Sequence, residues 1–126
     1  LTIIGDGPDK NKLINLVKQN QLPVDFKGRL DRKTLINEMH KHGIFLHTSI
    51  KESFSYSLLE AKLAGLITCA YEKLEVPLEF IDVPIKNFNV DEWCNTLLSM
   101  QKSEIYFDKN KYTLKKMVKE TINLAK

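Results

Sequence analysis

No apolar run in this chain approaches the ~20 residues that a membrane-spanning helix needs. The opening residues, Leu1-Thr2-Ile3-Ile4, carry no basic n-region and no cleavage-site pattern, so no signal peptide is read there. Cysteine is scarce: Cys69 and Cys94 show no CxxC spacing, and reduced, structural thiols of a cytosolic protein are the expectation. Arginine is limited to Arg29 and Arg32, and the net charge of +3 is mild. Aromatics are not interleaved with a basic stripe, so nucleic acid is not expected as a partner. His40, His42 and His47 lack the i,i+4 spacing of helical zinc sites, and no metal is expected. Gly5-Asp6-Gly7-Pro8 lacks both the full GxGxxG and the GK[ST] of phosphate loops and reads as a turn. There is no Ser-His-Asp set to argue from.

The 126 residues suffice for one domain with one core. At 43% hydrophobic and 28% charged, the composition is that of a soluble globular protein. The chain does not begin with Met and opens directly on a strand-like run, so a fragment of a longer protein is expected.

Leu1 to Ile4 reads as a strand, followed by the Gly-Asp-Gly-Pro turn. Asp9 is placed to cap a helix running to about Asn20, with Leu13, Leu16 and Val17 on one face. Val24-Asp25-Phe26 alternates and ends at Gly28 as a second strand. Asp31 caps a helix through Leu35, Ile36 and Met39, with Gly43 as its stop. Ile44 to His47 is a third strand, Tyr56 to Ala64 a helix stopped by Gly65, and Leu66 to Ala70 a fourth strand. Strands alternating with helices predict βαβ units: a Rossmann-like α/β domain, an open parallel sheet with helices on both faces. The strands are runs rather than alternations, as when both sheet faces are covered. Further on, Phe80 to Val83 suggests a short strand. Val90, Trp93, Cys94, Leu97 and Met100 fit a helix period, as do Leu114, Met117, Val118, Ile122 and Ala125. Trp93 reads as a core anchor rather than a sugar platform. The lysine run from Lys109 to Lys119 reads first as a solvated helix face; peripheral contact with anionic lipid heads is the sharper reading.

Two carboxylates stand out. Glu52 lies in a strand-to-helix loop, and Glu60 lies about one turn into the helix that follows. A helix starting near Tyr56 places Glu60 ~6 Å above its N-terminus. Such an end offers unpaired N–H groups and partial positive charge, which suit a phosphate. Small serines let backbone approach a ligand. Glu60 can accept from paired ribose hydroxyls, as acidic residues do in dinucleotide folds. Glu52 can accept from sugar hydroxyls or stabilise an oxocarbenium-like transition state. The alternative for each is an exposed surface charge. His47, at a strand end beside this loop, reads as a surface or packed imidazole, with ligand contact as the lesser reading.

The flanking residues carry a resemblance. Ile3-Ile4-Gly5-Asp6-Gly7-Pro8, Phe26-Lys27-Gly28, Ser49, Glu52-x-Phe54, Glu60-Ala61 and Ala64-Gly65 stand in order. Together they resemble the donor-binding, C-terminal domain of family 4, GT-B-fold glycosyltransferases. Asn89-Val90-Asp91-Glu92-Trp93 is similar to the segment before a late helix in that family. The resemblance covers most of residues 1 to 100. It implies that Glu60 holds the ribose of a nucleotide-sugar and that Glu52 contacts the transferred sugar as the catalytic carboxylate. Backbone at Ser53, Phe54, Ser55 and Tyr56 would meet sugar and diphosphate, and the turn of Gly28, Arg29 and Leu30 would lie against the base. It implies a UDP- or GDP-sugar as substrate, a hexose passed to a glycan or glycolipid hydroxyl, no cofactor, and cytoplasmic work. The fragment alone is expected to be inactive, since the acceptor domain would lie upstream. The chain also departs from the family. Ser53 and Ser55 stand at glycine positions, and Thr48 and Ile67 where proline is common. Tyr71 to Pro77 replaces a glycine pair before a glutamate, so no role is carried over to Glu75 or Glu79. A catalytically degenerate binding or interaction module is the alternative; a GT-B epimerase is a third reading, for which no acid/base residues are identified.

Overall fold

The computed structural model describes residues 1–100. The basic run from Lys109 and the late periodic segment from Leu114 lie outside them. Two compact units divide the chain, one of residues 1–38 and one beginning at Met39.

In the first unit, β1 (Thr2–Ile4) pairs in parallel with β2 (Asp25–Gly28), and α1 (Lys10–Gln19) connects them. The ladder shifts register between Ile3 and Ile4, so that Ile4 pairs with Gly28 rather than Lys27. Gly5 then donates to the Gly28 carbonyl at 2.7 Å. Both glycines have positive φ (119° and 65°), a region that side chains disfavour. Asp9 occupies the N-cap of α1, yet its side chain makes no capping bond, contrary to expectation. The turn is held instead by Asp6, whose carboxylate accepts from Gly7 N–H at 3.1 Å and pairs with Lys10. The apolar face matches expectation at Val17 alone. Ile14 and Val17 are half-buried, whereas Leu13 and Leu16 are exposed. Ile14 and Val17 sit three residues apart and share one side of the helix, one step round from Leu13 and Leu16. Asp31 does cap α2 (Arg32–Met39), accepting from Thr34 N–H at 3.0 Å and from its hydroxyl at 2.5 Å. Gly43 does not end α2. The helix stops at Met39, and the Gly43 carbonyl accepts from Ile67 N–H as a lead into the next sheet.

In the second unit, β3 (Ile44–His47), β4 (Ile67–Tyr71) and β5 (Val83–Ile85) form a parallel sheet in that order. Thr68, Cys69 and Ala70 are fully buried in succession, so both faces of the central strand are covered. Pro84, which cannot donate to a ladder, sits in β5 opposite Ala70. α3 (Tyr56–Leu63) connects β3 to β4 and packs on both. Its end is a Schellman turn: Gly65, at φ +84°, donates to Lys62, and Leu66 donates to Ala61. The expected strand of Phe80 to Val83 is displaced. Leu78–Phe80 forms a 3-10 turn, and the strand begins only at Val83. Phe80 leaves the sheet because its ring fills the core, which gathers Leu58, Leu59, Ala70, Leu74 and Phe80. α4 (Val90–Ser99) begins at Asn89, whose side chain accepts from Glu92 N–H at 2.9 Å. The Glu92 carboxylate reaches back to Lys86 and Asn87 N–H, in the manner of a capping box. The hydrogen bonds from Asn87 and from the two backbone N–H groups hold its pKa below the usual carboxylate range.

Both sheets are open and parallel and carry flanking helices, which is the expected α/β, Rossmann-like class.

Candidate functional site

β3 ends at His47, and α3 begins at Tyr56. The eight residues between them, at the carboxyl end of a parallel strand, stand where open α/β sheets bind ligands. Glu52 is half-buried in this loop, and Glu60 is half-buried in the second turn of α3. The structure therefore puts one carboxylate before the helix N-terminus and the other within the helix.

Ser55 is the N-cap of α3 and carries a left-handed backbone, φ +60° and ψ 88°. This conformation is uncommon for any residue but glycine. Its hydroxyl accepts from Leu58 N–H at 3.4 Å, and its carbonyl accepts from Leu59 N–H at 3.2 Å. The N–H groups of Tyr56 and Ser57 stay outside the helical ladder, as first-turn groups do. With the aligned peptide dipoles they favour an anion.

The side chains flanking that end divide into two sorts. Ser53 and Tyr56 are exposed. Phe54 turns inward: its ring meets Phe80 edge-on at 5.3 Å and Tyr56 at 5.2 Å. Packing of Phe54 into the core pins the loop between Glu52 and the cap. Gly28, Arg29 and Leu30 belong to the first unit. Gly28 closes the bond to Gly5, Arg29 is exposed, and Leu30 is half-buried.

His47 joins several of these groups. It is buried, at 8% exposure, and its ring lies 6.2 Å from that of Phe45. Nε2 is 3.5 Å from Glu52 Oε1 and 3.5 Å from Ser55 Oγ, while Nδ1 is 3.4 Å from Ser57 Oγ. Ser55 Oγ and Ser57 Oγ are 3.1 Å apart. Burial pushes the His47 pKa below its ordinary value, and the Glu52 carboxylate pulls against that shift without overcoming it. The sequence reading left a surface or a packed imidazole open; the ring is packed, and the link to Glu52 was not expected. The available signal was its position, the last residue of an apolar strand five places before the carboxylate.

A second polar cluster went unread. Lys62, on the same face of α3 as Leu58, forms a buried ion pair with Asp82. Asp82 Oδ2 also accepts from Thr68 N–H at 2.9 Å, and the Thr68 hydroxyl donates to the Phe80 carbonyl at 2.6 Å. This ties α3, β4 and the approach to β5 together behind the loop. Its signal was a charge set between apolar neighbours, Ile81 and Val83 for Asp82.

The segment after β4 is folded rather than open. Glu72 N–H donates to the Ile85 carbonyl at 3.0 Å, and Leu74 is buried. Trp93 is half-buried and meets Phe88 edge-on at 6.1 Å. Among the described residues, no three His, Cys, Asp or Glu side chains gather as a metal site would require. Nor, among them, is any helix long and apolar enough to cross a membrane.

No curated protein and no solved structure shows significant similarity to the chain. The family model described as "Glycosyl transferases group 1" matches residues 1–90, which hold both units' βαβ segments, the Glu52 loop and Glu60. Covering well over half of the 126 residues, that match shows that the chain belongs to the group 1 glycosyltransferases.

Proposed function

We propose that this chain binds a UDP- or GDP-hexose and, as the donor-binding part of a longer enzyme, serves its transfer to a hydroxyl of a glycan or glycolipid. The observation that carries the reading is the pair of carboxylates set on either side of a serine-capped helix N-terminus at the end of β3. Family membership supplies the reaction class. The N–H groups of Tyr56 and Ser57 meet the diphosphate, and backbone near Ser53, Phe54 and Ser55 meets the sugar. Glu60 accepts from the ribose hydroxyls. Glu52 faces the sugar, where a carboxylate stabilises positive charge on the anomeric carbon.

In the transfer, the acceptor oxygen forms a bond to the anomeric carbon. The bond from that carbon to the diphosphate oxygen breaks, and its electron pair leaves with the diphosphate. The acceptor hydroxyl gives its proton to a base. The helix end opposes the negative charge that develops on the leaving group. Two free cysteines, Cys69 buried and Cys94 exposed, suit a cytoplasmic enzyme, working at the inner membrane face when its acceptor is a glycolipid.

The folded Tyr71 to Pro77 segment, in place of a glycine-rich loop, favours a second reading: a module that kept the fold and the nucleotide-sugar but not the turnover. The deciding experiment is calorimetric titration of the full-length protein with UDP- and GDP-sugars, followed by turnover with glycan and glycolipid acceptors. Binding with turnover supports the transferase, and binding without turnover supports the module. If neither nucleotide series binds, both readings fail.

A further inference from the structure

His47 lies between two parts of the proposed site that are otherwise separate. Nε2 faces the Glu52 carboxylate, with Ser55 Oγ also 3.5 Å away, and Nδ1 faces Ser57 at the start of α3. An ionised carboxylate only accepts, so in this contact Nε2 carries the proton. Nδ1 is then an acceptor and takes the Ser57 hydroxyl. Ser57 Oγ in turn accepts from Ser55, and Ser55 Oγ accepts from Leu58 N–H. The row then runs in one direction, from the α3 backbone to Oε1 of Glu52, with Ser55 Oγ as a second neighbour of Nε2 at 3.5 Å. A proton added at Nδ1 would reverse it, because Ser57 would have to accept. Burial of the ring, together with its stack on Phe45, favours the neutral form that the row requires. The separations, 3.1 to 3.5 Å, are at the long end of hydrogen bonding.

We propose that His47 is a positioning residue: its neutral imidazole, anchored on Ser57 and the α3 cap, holds the Glu52 carboxylate toward the sugar of the bound nucleotide-sugar. This rests on the role given to Glu52 above. The hydroxyl of Ser55 supplies a link in the row that a glycine would lack.

Two measurements test the proposal. In the first, the His47 ring is followed by long-range proton–nitrogen NMR. The expected result is a proton on Nε2 at neutral pH and a titration midpoint that falls by about one unit in Glu52→Gln, which removes the charge favouring the imidazolium. An unmoved midpoint means the ring is merely packed, and the proposal is overturned whatever binds. In the second, full-length protein is titrated with UDP and UDP-glucose, or with GDP and GDP-mannose if that series binds. His47→Phe keeps the ring packing and loses both polar links. It should weaken the nucleotide-sugar about tenfold while changing the nucleotide alone less than about twofold. His47→Gln, whose amide N–H can replace Nε2–H, should recover most of the loss. Equal weakening of nucleotide and nucleotide-sugar would show simple structural damage and overturn the role. If wild-type protein binds no nucleotide-sugar, the proposed function and the sugar-positioning role both fall; the NMR arm still judges the His47–Glu52 link.

Discussion

Lys62 and Asp82 form an ion pair buried between the last turn of α3 and the approach to β5. Breaking such a pair leaves a charge without its partner away from water, which costs about 3–5 kcal/mol. Lys62→Met is therefore expected to lower the urea midpoint steeply. Asp82→Ala should do at least as much, because Thr68 N–H loses its acceptor too. Asp82→Asn keeps an oxygen for Thr68 and should cost less than Asp82→Ala. An Asn variant as unstable as the Ala variant would show that the Thr68 bond contributes little.

Ser55 combines an unfavourable backbone with a useful hydroxyl. The left-handed conformation costs roughly 1–2 kcal/mol for a residue with a Cβ, and an N-cap hydroxyl returns about 1 kcal/mol. Ser55→Gly should be close to neutral in thermal unfolding, since strain and cap are lost together. Ser55→Ala keeps the strain and loses the cap, and should destabilise by about 1 kcal/mol. Equal melting of the Gly and Ala variants would contradict the left-handed assignment.

The two glutamates should fail differently. Glu60→Ala in full-length protein is expected to weaken the nucleotide and the nucleotide-sugar alike by at least about tenfold, through loss of a charged hydrogen-bond acceptor. Glu52→Gln should leave nucleotide affinity within about twofold and cut kcat by at least about a hundredfold, because a charge near the reacting carbon acts on the transition state. If Glu60→Ala binds the nucleotide as tightly as wild type, its ribose role is wrong.

The depressed pKa of His47 ties stability to pH. The unfolded chain titrates this imidazole near its ordinary value of about 6.5, and the folded protein does so at a lower pH. Between the two values the unfolded state binds more protons, so stability rises with pH there. The contribution is fully present above the unfolded value and is lost as pH falls through the folded one. Urea midpoints of wild type should drop on acidification relative to those of His47→Gln, which has no proton to gain. Parallel curves for the two proteins would show that the ring is not held neutral by burial.

Much of the fold is legible in the residues themselves. The apolar run Ile44 to His47, the Leu/Ala-rich stretch from Tyr56 and the glycine at 65 fix β3, α3 and a Schellman turn, because strand burial and helix capping are local properties. Asp31 caps its helix for the same reason. Legibility weakened where a side chain answered to distant neighbours. Asp9 had a capping position and no capping bond, Ile14 joined Val17 on the half-buried face of α1 in place of Leu13 and Leu16, and Phe80 left its expected strand to fill the core.

The sequence by itself determined that strands and helices alternate, that Glu52 precedes a helix N-terminus and that Glu60 lies inside that helix. Those placements follow from spacing along the chain, which periodicity and capping chemistry set. Only the tertiary structure decided that His47 meets Glu52 and both serines, that Ser55 takes a left-handed backbone, and that Lys62 finds Asp82. Each of these depends on burial and on contacts between elements up to 20 residues apart. Pairing a charge or choosing a tautomer requires knowing which groups have left water together, and that is a property of the packed chain.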